Sequence, residues 1–177
     1  MTAWKTGPHG PLVQLADNLW SADGQVGDGP MKRVMTVARR RDGRLVIHSA
    51  VALEEAQMRE LEVLGEPSFL LVPNAYHRID APRFKARYPR ISVHAPRGAV
   101  KKVAERVPVT GPYEALPADP DVGVGYVDGA VDGEGLLTVR SSDGVTLVFN
   151  DLLFNMPHVP GAMGLVLRHV TGSTGGP

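Results

Sequence analysis

Residues 68–80, SFLLVPNAYHRID, gather the side chains best suited to chemistry. An apolar run, Phe69 to Val72, breaks at Pro73 into a polar loop carrying Asn74, Tyr76, His77, Arg78 and Asp80. Such a run reads as a strand buried on both faces, and a loop at the carboxyl end of a buried parallel strand is where ligands bind. His77 has the strongest claim, because its neighbours Tyr76 and Arg78 give little apolar reason to hold an imidazole there. His77 and Asp80 are therefore the candidate catalytic pair, and Asn74, Tyr76 and Arg78 the candidate pocket. Asp80 has a competing explanation as a helix N-cap. Arg78 beside His77 would repel a cation and receive a carboxylate or phosphate, so a small anionic ligand is the expected partner.

Other donors lie at element boundaries. His48 and His94 end short strands, and Asp151 follows the apolar run VTLVF at residues 145–149. A layered sheet arrangement would let His77, His94 and Asp151 converge at one sheet edge and hold one zinc or manganese ion. That requires three or four donors at about 2.0–2.2 Å from the ion. His48 reads as structural, His9 as a tail residue, and His158, between Pro157 and Pro160, has no assignment. Ser49 and Ser68 lack nucleophile-elbow glycines, so an acyl-transfer triad has no anchor. There is no HExxH and no EF-hand loop, and the glycine-rich residues 21–30 lack the GK[ST] of a phosphate-binding loop.

The elements that must position these residues follow from composition and pattern. A chain of 177 residues with 43% hydrophobic residues has room for one domain with a sizeable core. Nineteen basic residues balance nineteen acidic ones. Basic clusters at Lys32-Arg33, Arg39–Arg41 and Lys101-Lys102 come with only 6% aromatics, which argues against nucleic acid. No apolar run approaches the roughly 20 residues of a membrane helix. Zero cysteines exclude disulfides and thiolate chemistry and fit a cytoplasmic protein.

Twenty glycines and fifteen prolines, spread along the chain, predict many short elements joined by tight turns. Residues 1–11 read as an irregular tail, 12–170 as one domain and 171–177 as a flexible tail. Residues 12–20 make two short strands turning at Asp17-Asn18, and 21–30 a glycine-rich loop. Residues 33–39 and 45–48 form a hairpin around Asp42-Gly43. A helix with Leu53, Met58, Leu61 and Leu64 inward stops at Gly65 and feeds the buried strand, which is parallel to a neighbour. A helix at 80–88, a strand at 91–94 and a helix at 99–107 follow. Residues 111–121 read as irregular, and strands at 122–127, 136–140 and 145–149 as a meander in a second β layer.

The order LVQLADNLW, a glycine-rich loop, RVMTVARRRDGRLVIHSAVAL, a helix, LGEPSFLLVPNAYHRIDAPRFKARYPRISVHAP and GVTLVFNDLLFNM resembles metallo-β-lactamase-fold proteins. It is most similar to the uncharacterised branch known as domain of unknown function 4336, with residues 72–96 the most specific part. The resemblance implies an αββα four-layer sandwich with its site at the rim between the sheets. It also implies H-x-H-x-D-H after the central strand, a further histidine, a bridging aspartate and a final histidine, holding one or two metals that activate water. Setting Asn74 on the first histidine puts Tyr76, Arg78 and Ile79 on the other three positions, so no ligand survives. Shifting the frame to His77 leaves only His77 and Asp80.

Asp151 matches the bridging aspartate by position, and His169 is the only late candidate for the final histidine. Few residues follow Asp151, so the resemblance implies a sandwich shortened at its C-terminus or completed by a partner, such as a second copy. The reading is a member of this fold with a degenerate motif, without the dinuclear centre and without a cofactor. Two alternatives stay open: a hydrolase of esters, amides or phosphoesters with a mononuclear site, and a scaffold that oligomerises. Whether the chain is an enzyme is left open by its residues.

Overall fold

The computed structural model describes residues 4–27, 31–153 and 165–166. Seven strands form one mixed sheet in chain order: β1 (Val13–Ala16), β2 (Leu19–Gln25), β3 (Lys32–Arg39), β4 (Leu45–His48), β5 (Pro67–Leu71), β6 (Ser92–Ala95) and β7 (Gly111–Pro112). β1 to β4 are antiparallel neighbours, and β4 to β7 run parallel. The change of direction falls after β4, because a parallel return needs a crossover of a dozen or more residues. Helices α1 (Glu55–Leu64), α2 (Ala81–Arg87) and α3 (Val100–Ala104) supply those crossovers. The last three strands, β8 (Val122–Gly125), β9 (Leu136–Ser141) and β10 (Gly144–Val148), make a separate antiparallel sheet in the order β10-β9-β8.

Side-chain alternation divides the core in two. Leu45, Ile47 and Leu70 share a cluster with Met58 and Leu61 of α1, Phe84 of α2 and Val103 of α3. Val46, Phe69 and Leu71 point the other way, toward Val122, Leu137 and Val139 of the second sheet. The strand at 67–71 is thus buried on both faces, as its unbroken apolar run predicts. Helices, the seven-stranded sheet and the three-stranded sheet are three of the four layers expected. Among the described residues no helix covers the outer face of the second sheet, where Val145 and Leu147 are exposed.

Most elements fall within a residue or two of the sequence reading. Gly43 alone, not Asp42, has positive φ (82°) in the β3–β4 turn: Gly43 N–H bonds Arg40 O and Arg40 N–H bonds Arg44 O, a three-residue loop that ends on a left-handed glycine. Residues 21–30 correct that reading: β2 continues through Ser21–Gln25, paired residue by residue with β3 from Thr36 to Lys32. Gly24 is there for contact rather than for a turn, since a Cβ on it would come within 2.6 Å of Val51 Cγ1.

Two further boundaries differ. The helix expected over 99–107 ends at Ala104: Arg106 N–H bonds Val103 O, and Val107 precedes Pro108, which disfavours helical geometry. The irregular stretch 111–121 contains β7 and a short 3-10 turn at Tyr113–Ala115. The segment before β1 is irregular yet anchored. Trp4 donates its indole N–H to Leu53 O and stacks on Phe84, and His9 Nε2 accepts the N–H of Glu54.

Candidate functional site

Ser49 stands directly after β4, and its N–H bonds Leu71 O at the end of β5. It is the one non-glycine residue with positive φ, 55°, among the described residues. That conformation costs an ordinary residue roughly 1–2 kcal/mol. The loop after β5 is organised by Asn74, which is buried. Its Oδ1 accepts the N–H groups of Tyr76 at 2.8 Å and His77 at 3.1 Å, an Asx-type turn that fixes the imidazole's backbone. Its amide nitrogen donates to Glu134 Oε1 at 2.8 Å and Asp151 Oδ2 at 2.5 Å. Glu134 precedes β9 and Asp151 follows β10, so one side chain ties the first sheet's loop to the second sheet.

His77 lies between Ser49 and Asp151. Its Nδ1 is 2.8 Å from Ser49 Oγ, and its Nε2 is 3.3 Å from Asp151 Oδ1. An ionised carboxylate only accepts hydrogen bonds, so Nε2 carries the hydrogen toward Asp151. In the neutral ring, Nδ1 is then the acceptor for the Ser49 hydroxyl. With the ring in that tautomer, the three groups form a hydroxyl, imidazole and carboxylate series.

The two carboxylates diverge in acidity. The hydrogen bond from His77 holds Asp151 below the usual aspartate range against the opposing effect of burial. Burial raises Glu134, and the neighbouring Asp151 charge pushes it the same way. His48, fully buried beside this group, has its pKa lowered to about 3 by burial and secondarily by His77. Neither His48 nitrogen has a hydrogen-bond partner among the described residues.

The remaining predicted residues go elsewhere. His94 is buried on β6, in register with Leu71, with Nδ1 3.3 Å from Pro112 O and Nε2 3.3 Å from Ser92 Oγ. The expected convergence of His77, His94 and Asp151 is thus realised only for His77 and Asp151. Among the described residues no three His, Asp or Glu side chains group as metal ligands. The donors present do not fit the usual dinuclear centre, because among the described residues only His77 and Asp151 come together, fewer than the three or four donors one ion needs.

Asp80 occupies the position before α2, but its carboxylate makes no cap hydrogen bond. It is instead buried between Arg33 and Arg83, bonding both, and accepts Ala52 N–H at 3.0 Å. The physical reason is competition, since two guanidinium groups outbid the helix amides for one carboxylate. These residues, with Lys5 and Ile79, line a cavity of about 230 Å³. Arg78 is also spoken for, its Nη1 reaching Lys102 O and, at 3.0 Å, Glu105 Oε2. That pairing holds Arg78 against the end of α3. Tyr76 is 80% exposed. His158 and His169 lie outside the described residues.

Ser49 and Glu134 were missed by sequence reasoning. Ser49 lacks the flanking glycines by which sequence marks such a turn, yet the chain reaches positive φ there without them. Glu134 stands sixty positions from Asn74, its partner, and carries no local signal.

No protein-family model matches this sequence, and no curated protein matches it. Solved structures do. DIM-1 metallo-β-lactamase exposed to ceftazidime matches with TM-score 0.58 at 15% identity, over 76% of this chain and 67% of that one. VMB-1 at pH 5.5 gives 0.52 at 11%, over 76% and 67%. A metallo-β-lactamase from Erythrobacter litoralis with β-mercaptoethanol in the active site gives 0.53 at 15%, over 73% and 65%. The match spans about two thirds of each of those chains. At these identities what is shared is the architecture: the chain has the metallo-β-lactamase fold, and its described residues bring together no obvious metal-binding cluster.

Proposed function

We propose that this chain is an atypical metallo-β-lactamase-fold protein of the domain of unknown function 4336 branch, whose rim works without a dinuclear zinc centre. The branch rests on the sequence resemblance of residues 72–96. One observation carries the functional reading: the imidazole and carboxylate at the rim are satisfied by protein groups, His77 by Ser49 and Asp151, and Asp151 by Asn74. A metal-free polar site is what such a network serves. The absence of cysteine supports a cytoplasmic setting, and among the described residues no helix is long and apolar enough to cross a membrane.

The small anionic ligand belongs, in this reading, to the cavity beside Arg33 and Arg83 rather than to Arg78. Lys5, Arg33 and Arg83 outnumber Asp80 among its charged lining residues, and Arg33 Nε and Arg83 Nε are buried without partners among the described residues. The alternative, a mononuclear hydrolase using His77, His94 and Asp151, makes the opposite forecast for metal. Calorimetric titration with zinc and with manganese discriminates the two. The proposed reading gives no saturable uptake near one ion per chain, while the alternative gives stoichiometric uptake that His77→Ala abolishes.

A further inference from the structure

We propose that Ser49 is the nucleophile of a metal-free acyl-transfer site, with His77 as its base and Asp151 as the residue that positions the base, acting on small carboxylic esters. The inference rests on the metal-free reading of the rim. Three observations carry it. Ser49 combines a hydroxyl with a positive φ immediately after a parallel-sheet strand, and a tight strand-to-loop turn of that kind presents a nucleophile at a sheet's carboxyl edge. The hydroxyl is 2.8 Å from an imidazole nitrogen whose opposite nitrogen is 3.3 Å from a carboxylate. That is the order of groups through which a serine is activated, with the two ring nitrogens exchanging their usual parts. Finally, Asn74 holds both the backbone of His77 and the carboxylate of Asp151, so base and positioning group share one rigid support.

In the reaction, Ser49 Oγ forms a bond to the acyl carbon as His77 Nδ1 takes the hydroxyl proton. The bond from that carbon to the alkoxy group breaks, and the proton passes from Nδ1 to the departing alcohol. Water then attacks the acyl-serine, giving its proton to Nδ1, and the carboxylic acid leaves as Ser49 recovers its hydrogen. Both half-reactions balance without any other reactant. Ser49 is 1% exposed while the His77 side chain is 18% exposed. For the proposal to hold, an ester must enter beside the imidazole, so the substrate it takes is one with a slim acyl group such as acetyl.

The full chain, incubated with a small fluorophosphonate in the presence of EDTA, tests this by intact mass and peptide mapping. One adduct on Ser49 is expected, absent in Ser49→Ala and slowed about a hundredfold or more in His77→Ala. Asp151→Asn is expected to slow labelling and to displace its pH profile, which a purely structural carboxylate would leave in place. Ser49→Gly, which retains the backbone conformation without strain, guards against misfolding of the alanine variant and must also lose the adduct. Folded protein that acquires no adduct on Ser49, or that labels equally in both Ser49 variants, overturns the assignment. If acetyl-ester hydrolysis is instead abolished by EDTA and retained in Ser49→Ala, the metal-free reading itself has failed. Absence of both metal and adduct overturns the nucleophile alone.

Discussion

At the scale of single residues, the rim is a set of mutually dependent polar groups. Asn74 is the one with most partners, bonding two backbone N–H groups and two carboxylates. Asn74→Ala strands buried groups at both ends, and a loss of about 2–3 kcal/mol is expected in denaturant unfolding. His48 gives a pH signature. Its folded pKa, about 3, lies below the ordinary value of 6.5, so the unfolded chain takes up the proton first. This contribution is complete above pH 6.5 and is lost progressively from there toward pH 3, by up to about 1.4 kcal/mol per pH unit. His48→Leu is expected to flatten that slope, as measured by urea unfolding at pH 7.5, 5.5 and 4.5. The Asp151 contribution has the same sign at lower pH: with its pKa depressed, it is present above the usual aspartate pKa and falls away as acid protonates it. His77 and Asp151 could be singled out in the sequence because polar residues directly after apolar strands have few other reasons to be there. Their mutual contact, and that of His77 with Ser49, could not, because each joins segments separated by loops whose course no local pattern encodes.

At the scale of elements, the chain's periodicity was a reliable guide where one local preference dominated. The buried run before Pro73, the Asp42-Gly43 turn and the proline-started helix at 81–87 each follow from nearby residues. β2 was obscured because Asp23 and Gly24 are poor strand formers, and pairing with β3 overrides them. Asp80 shows the same limit for a site residue. A cap position was legible, whereas capture by Arg33, forty-seven positions away, was not. That buried cluster fastens α2 to β3. Asp80→Ala leaves two arginines facing each other without their shared anion, and a destabilisation of roughly 3–5 kcal/mol is expected by thermal or denaturant unfolding. The double variant Arg33→Met, Asp80→Leu is expected to recover most of that loss, because apolar groups of similar volume need no counter-charge.

For the whole molecule, the metallo-β-lactamase fold is present, and among the described residues its rim carries polar groups that satisfy one another and no obvious metal-binding cluster. The parallel strands β4 to β6 still place their carboxyl ends at a rim facing the second sheet, and the polar residues still collect there. Location is thus inherited from the sheet, and chemistry from a handful of loop side chains. The sharpest test is elemental analysis of protein purified without added metal and then dialysed against zinc. The account predicts zinc well below one ion per chain, with unfolding unchanged by the dialysis; one or two tightly held ions per chain would contradict it.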